Sequence, residues 1–504
     1  MMQQLRGFLL LVLGAAVAVP VAAQQPAAAG APAANACPLD LLQPAPLGIA
    51  SLQRQKVMAA KSADDAGKGI KDAMKLLYDE KSKSNPLGRD MLVGQFLVLG
   101  IPFIETSTRG NLGIPGDKNA AVDVPTFVDS LFTGIEKAQP LCESETEQWR
   151  QYKWYPAKIQ AAYKFLGAQQ MDSAEKFAKR ALVMSRSSAQ GYDILWRVAM
   201  AREDEAAQLS NLKIAADKLL GDTLNSNVRS NLLYNLGKFQ QDWAKKKQGD
   251  AKMKQFKESD ATLMQQIKEF PSAAESPFSV GLLSMAFTIT KDTAQAVEAL
   301  AGIKASSAKM SDIGLAQAAL LATRLSRTPD ALALFEAASK INPWARDYKY
   351  NYAAMLYDSK RADEMLPVLK DLVALDPSNP ENYALFAFAF ARMSEGEKDV
   401  PKRKALTDSA LAYNKIADGM PHRVSYTEFN READKTSLKG QIENKSAKER
   451  SFVVEFDFLD KTGASVGKAT ANVGPVKPND LGEFAVEIPK GGVFGVRYAP
   501  LPAK

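Results

Sequence analysis

Residue types equipped for chemistry are few in this 504-residue chain, and their spacing assembles no reacting group. Its single histidine, His422, directly follows Pro421, which rules out a zinc site of the HExxH type and leaves any histidine-dependent triad hanging on one ring. That position points to a helix-end or surface role. The two cysteines, Cys37 and Cys142, suit pairing better than nucleophilic work, and no Gly-x-Ser-x-Gly elbow occurs. Adjacent acids such as Asp64-Asp65 and Glu203-Asp204-Glu205 lie in helical sequence, where they face water, and no carboxylate is set in an aromatic cleft. Gly110, Gly113 and Gly116 make turns rather than a phosphate loop, because a Walker loop needs Gly-Lys-Ser/Thr and Gly116 is followed by Asp117. The expectation is therefore a protein that is not an enzyme and has no cofactor or metal site. A glycan hydrolase working with carboxylates alone is the least favoured alternative.

The cellular address is more legible. MMQQLRGFLLLVLGAAVAVPVAAQQ has Arg6 near its start, an apolar run from Phe8 to Val19 and small residues ahead of Gln24, the pattern of a cleaved signal peptide over residues 1–23. Residues 24–50 read as a Pro/Ala-rich spacer, and no later segment is long and apolar enough to span a bilayer. The mature chain is expected to be periplasmic or secreted, without a stable transmembrane segment. In that oxidising setting Cys37 and Cys142 either pair or remain two buried thiols. The formal charge of +7 is modest for this length, and an exported chain has little access to nucleic acid. Its densest basic stretch, DWAKKKQGDAKMKQFKE (242–258), reads as a solvated helix face or an insertion, with an anionic glycan or lipid headgroup as the sharper alternative.

Elements that would position a site follow from periodicity. Residues 51–148 form an N-terminal helical region broken by a polar, turn-rich loop over 107–121. Residues 149–425 are dominated by Ala, Leu, Lys, Glu and Gln at helical spacing, punctuated by Pro and Gly. Within them Pro343 and Pro377 stand 34 residues apart. In ALALFEAASKINP, Ala331, Phe335, Ala338 and Pro343 fill the small, bulky, small and helix-ending places of the tetratricopeptide repeat, which this region resembles. Met365, Leu369, Leu372 and Pro377 fill them in the next unit. Tyr383, Phe386, Ala387 and Phe390 continue into a third unit with about ten extra residues (GEKDVPKRKA) before Tyr413 and Pro421. Ala161, Ala162, Phe165, Ala174, Ala178 and Ala181 trace another unit upstream, and NLLYNLGKF with LMQQIKEFP an interrupted one.

The resemblance implies a right-handed α-solenoid of helical hairpins whose first helices line a groove. It places Asp347, Tyr350, Ala354, Tyr357 and Asp358 in that groove, with Leu320, Thr323 and Arg324 on one side and Glu381, Phe388 and Arg392 on the other. Arg324, Tyr350, Tyr357, Asp358, Phe388 and Arg392 are the candidate binding residues, since tyrosine and arginine anchor interfaces. Tyr348 and Tyr352 belong to the hairpin interface.

Near Arg431 the composition turns to Val, Phe and Gly with period-two alternation: Phe452, Val454, Phe456 and Phe458 share one face and Val453, Glu455 and Asp457 the other. Residues 432–504 thus read as a small antiparallel β-sandwich. Gly440, Asn444, Phe456, Phe458, Leu459 and Asp460 give it a resemblance to the FxLYD domain of bacterial envelope proteins, with Phe and Leu where the name-giving motif has Leu and Tyr. Together the readings imply a mostly α, non-enzymatic envelope protein that binds another protein or peptide. Glycan or another envelope ligand is the alternative partner.

Overall fold

The computed structural model describes residues 37–185, 188–222 and 225–502; the expected signal peptide and the start of the spacer lie outside them. The chain divides into two compact units, residues 1–220 and 221–504.

The first unit contains α1 (Ala45–Leu52), α2 (Arg54–Met58), α3 (Ala63–Leu77), α4 (Pro86–Gly100), α5 (Arg109–Leu112), α6 (Val124–Ala138), α7 (Glu143–Arg150), α8 (Trp154–Gly167), α9 (Met171–Met184), α10 (Ala189–Ala201) and α11 (Glu205–Lys218). A short antiparallel ribbon joins β1 (Thr106–Thr108) to β2 (Ala121–Asp123). Helix α1 starts inside the stretch read as spacer, because Pro46 presets a first helical turn and Leu47 and Ala50 are fully buried. The loop over 107–121 is also organised: Thr108 caps α5 by accepting from the Asn111 N–H, and Gly113 closes it in the left-handed region at φ 73°.

Apolar on all sides, α4 is buried from Met91 to Gly100 and forms the centre of this unit. Gly94 admits the α6 side chain Phe132, whose ring would lie 2.2 Å from any Cβ built there. A disulfide joins Cys37 to Cys142 and ties the segment before α1 to the start of α7. Buried Arg150 lies 2.5 Å from Asp129 and 3.1 Å from Glu136, so its charge is matched inside the protein.

The second unit runs α12 (Ser226–Lys245), α13 (Gly249–Glu269), α14 (Ser276–Thr290), α15 (Thr293–Ser306), α16 (Asp312–Arg324), α17 (Thr328–Ile341), α18 (Arg346–Asp358), α19 (Ala362–Leu375), α20 (Pro380–Gly396) and α21 (Val400–Gly419). Helices pair in order and each hairpin packs on the next, as α8 with α9 and α10 with α11 do in the first unit. The repeat positions supply the packing: Ala331, Phe335 and Ala338 of α17, Met365, Leu369 and Leu372 of α19, and Ala174, Ala178 and Ala181 of α9 are all buried. Small residues let paired backbones approach and large ones fill the space to the next hairpin.

The residues GEKDVPKRKA mostly lengthen helices rather than form a loop, since α20 reaches Gly396 and Asp399 caps α21 by accepting from the Lys402 N–H. The lysine-rich segment is the tip of the long α12–α13 hairpin, where the Lys247 ammonium sits 3.8 Å from the Trp243 ring centroid.

After the helices come β3 (His422–Arg431), β4 (Thr436–Asn444), β5 (Arg450–Leu459), β6 (Ser465–Val476), β7 (Leu481–Ile488) and β8 (Gly495–Tyr498). They form two antiparallel sheets, ordered β3-β4-β7 and β6-β5-β8. The fold is thus mostly α, with stacked tetratricopeptide-like hairpins and a small C-terminal β-sandwich.

Phe452, Val454, Phe456 and Phe458 are buried, and Phe456 stacks on Phe484 of the opposite sheet at 5.0 Å. Gly440 leaves room for Phe484, whose ring would be 2.4 Å from an added Cβ. Buried Asn444 donates to the carbonyls of Lys448 and Val476 at 2.7 and 2.8 Å, and Asp460 pins the β5–β6 turn by accepting from the Thr462 and Ala464 N–H groups at 2.7 and 3.1 Å.

Two expectations are corrected. The sheet begins at His422, ahead of the composition change, because HRVSYTEFNR buries only His422 and Val424 fully and so shows little alternation. His422 itself is 4% exposed rather than at the surface: the chain enters the sandwich directly after Pro421, and the imidazole meets Phe452 edge-on.

Candidate functional site

Helices α12, α14, α16, α18 and α20 are the first members of the hairpins in the second unit, and the repeat register assigns one of their faces to binding. On that face Tyr357, Phe388 and Arg392 come together. The Tyr357 and Phe388 ring centroids are 6.0 Å apart across α18 and α20, and the Arg392 guanidinium stands 5.7 Å from the Tyr357 ring centroid. Glu395 holds Arg392 at 2.8 Å, and Phe388 keeps 49% of its surface exposed. Tyr350 is half-buried; burial, with Glu381 adding to it, pushes its phenol up.

Asp358 is exposed at the end of α18. Arg324 is drawn away from the cluster toward α14, where it donates to Ser284 Oγ at 2.6 Å. Tyr348 faces the preceding hairpin and donates to Asp312 at 3.3 Å, while burial and Glu336 of α17 push the Tyr352 phenol up.

Sequence reasoning passed over part of this face. Phe278, Met285 and Ile289 of α14 are 62%, 44% and 38% exposed, and their spacing places them on one side of the helix. The Phe278 ring lies 6.2 Å from that of Tyr234 on α12, which continues the apolar surface to the neighbouring hairpin. The available signal was a helix free of charged residues, with apolar positions seven and eleven residues apart.

The same stretch of chain holds a second polar constellation that no local pattern announced. The β-sandwich sits on three consecutive turns of the helical stack. At the first, Asp312 accepts from Arg431 of β3 at 2.9 Å. At the second, Asn342 donates to the Phe494 carbonyl at 2.9 Å and the Trp344 indole N–H to the Lys461 carbonyl at 3.2 Å.

At the third, Val424 N–H donates to the Ser378 carbonyl at 3.1 Å, and Tyr498 donates to buried Asp376. Arg346, at the N-terminus of α18, lies 2.9 Å from Asp376 and 4.7 Å from the Tyr426 ring centroid. Burial opposes the Arg346 charge, but Asp376 and Asp347 outweigh it and hold the guanidinium protonated. Burial, followed by the charge of Asp376, pushes the Tyr426 and Tyr498 phenols far up, so both keep their hydrogens, and that of Tyr498 goes to Asp376.

The exposed part of the first-helix face is apolar and aromatic with charged edges. In the sandwich interface Asp376 draws Arg346 and Tyr498 together, while the buried Tyr426 hydroxyl and Asn382 Oδ1 have no hydrogen-bond partner. Among the described residues no helix is long and apolar enough to cross a membrane.

No protein-family model matches the chain, and no curated protein matches it in sequence. Solved structures of tetratricopeptide-repeat type do. A tetratricopeptide repeat protein from Parabacteroides merdae is 14% identical, with 51% of this chain and 98% of that chain covered and a TM-score of 0.25. Tom70 of yeast is 14% identical over 76% of this chain and 65% of its own, at a TM-score of 0.24. For pilF of Pseudomonas aeruginosa the identity is 14%, the coverage 52% and 90%, and the TM-score 0.21. At these scores the likenesses bear on neither the binding face nor a partner.

Proposed function

We propose that the chain is an exported, periplasmic or secreted, non-enzymatic scaffold whose first-helix face binds an extended segment of another envelope protein or peptide. The Tyr357–Phe388–Arg392 cluster carries this reading. It offers aromatic surface on two adjacent hairpins, its members hold one another in place before any partner arrives, and ordered side chains lose little freedom on binding. Phe278 and Met285 extend the contact surface to α14. The C-terminal sandwich resembles the FxLYD domain, which fits an envelope setting.

The test is recovery of partners from an envelope extract on immobilised wild-type chain beside a Tyr357→Ala plus Phe388→Ala variant with unchanged circular dichroism. The double variant is expected to lose at least about tenfold in affinity for a defined protein partner, since buried aromatic anchors contribute about 2 kcal/mol or more each. Retention of every partner overturns the assignment. Salt-sensitive retention on anionic polysaccharide, unaffected by the two substitutions, transfers the function to glycan.

A further inference from the structure

Between the second helices of two neighbouring hairpins, a buried and a half-buried side chain share one hydrogen bond and leave a second unmade. Asp260 of α13 is 9% exposed and accepts from the side-chain amide of Gln295, in the first turn of α15. Asp260 Oδ1 and Gln295 Oε1 are both buried and both lack a hydrogen-bond partner. A carboxylate and an amide carbonyl only accept, whereas a protonated carboxyl has one O–H to give. Two unpartnered acceptors on groups already joined by one bond are what a carboxylic acid–amide ring leaves when its proton is not drawn.

The charges around the pair favour that proton. Asp292, at the cap of α15, is a second negative group acting on Asp260. Helix α14 has no ionisable residue over Ser276–Thr290. On α12, Lys238 and Lys245 are both bound to Asp242, at 2.8 and 2.9 Å, and Arg229 is bound to Glu269 at 2.8 Å. On α13 itself Glu258 accepts from Gln255, and Lys257 is exposed, as is Glu298 of α15. Burial, with Asp292 adding to it, pushes the Asp260 carboxyl up to about 7.

We propose that Asp260 is protonated in the folded chain, its O–H donating to the Gln295 carbonyl oxygen while the Gln295 N–H donates back. This two-bond clasp joins α13 to α15 and falls back to the single Gln295 N–H bond when the proton leaves to water. It helps set how the hairpin carrying Phe278 and Met285 packs on its neighbour. Between the ordinary carboxylate range and about 7 the folded chain holds one proton more than the unfolded chain. Stability from this group therefore falls as pH rises through that window and levels off above it.

The experiment compares the full-length wild type with Asp260→Asn, whose amide copies the protonated carboxyl as both donor and acceptor. At pH ~8.5 the variant is expected to melt at least about 3 °C above wild type, with the difference closing by pH ~5.5. Hydrogen exchange in the first turn of α15, corrected for its intrinsic pH dependence, should quicken with pH in wild type alone. A difference that stays constant with pH, or a wild type more stable than the variant at the alkaline end, overturns the clasp. Carbon-13 NMR of aspartate-labelled wild type needs no variant: a carboxyl titrating near 7 is expected, and midpoints all below about 5 overturn the proposal.

Discussion

Tyr498, in the last strand, donates its phenolic hydrogen to the carboxylate of Asp376, 122 residues earlier in the turn between α19 and α20. The same carboxylate lies 2.9 Å from Arg346 and accepts from Asn379 and Asn382 at 3.0 and 3.2 Å. One buried anion thus ties a helical turn, the start of α18 and the β-sandwich together. Its charge is tolerated because a largely buried guanidinium and several donors surround it.

Removing one member of that group should cost more than removing a hydrogen bond. Asp376→Ala leaves Arg346 largely buried with only the exposed Asp347, 3.8 Å away, as counter-charge and is expected to destabilise the second unit by roughly 3 kcal/mol. Tyr498→Phe removes the donor to Asp376 and the acceptor of the Ser378 N–H but strands no charge, and should cost about 1–3 kcal/mol. Urea unfolding followed by circular dichroism separates the two, and equal losses would show that Asp376 does not neutralise Arg346.

Trp344 predicts a steric dependence on two glycines. A Cβ at Gly495 would stand 2.1 Å from the Trp344 carbonyl oxygen, and one at Gly463 would stand 2.1 Å from its indole, at a φ of 86° that disfavours side chains. Gly495→Val should detach the sandwich from the second turn while leaving each sheet folded. Limited proteolysis should then cut the 420–436 region faster than in wild type, and the Trp344 contribution to fluorescence, found by difference from Trp344→Phe, should shift to longer wavelength.

His422 gives a pH dependence of opposite sense to that of Asp260. Burial, with Arg450 adding to it, lowers its imidazole to about 4. Between about 6.5 and 4 the unfolded chain binds a proton that the folded chain refuses, so this contribution is complete above that window and is lost as pH falls through it. In an Asp260→Asn background, melting temperature should drop between pH ~7 and ~4.5, and His422→Phe should flatten the drop while keeping the ring contact with Phe452.

The disulfide closes a loop of 105 residues. In the chain-entropy view it limits the unfolded state by about 4–5 kcal/mol. Cys37→Ser plus Cys142→Ser, or reduction of the wild type, should lower the melting temperature of the first unit and leave that of the second unchanged. Equal shifts in both transitions would mean that the units unfold together.

Much of the helical body was open to reading because packing in a hairpin stack is local and periodic. Ala331, Phe335 and Ala338 announce their burial by spacing alone, as Phe452 to Phe458 do in β5. Where the register is clear the sequence puts Tyr357, Phe388 and Arg392 on one face, and their side chains do meet there; it does not separate Arg324 from them, because its turn toward Ser284 depends on a neighbouring hairpin. Phe278, Met285 and Ile289 escaped notice in a unit too degenerate to register.

By itself the sequence determined the apolar face of the clearly periodic elements such as α17, α19 and β5, where hairpins end at Pro343 and Pro377, and that a sandwich follows the helices. Tertiary structure alone decided that those turns seat the sandwich, that His422 enters it, and that Asp260 meets Gln295. The physical reason is range. Apolar burial repeats every turn or every second residue and so leaves a pattern, whereas a hydrogen bond between residues distant in the chain needs one donor and one acceptor and leaves none.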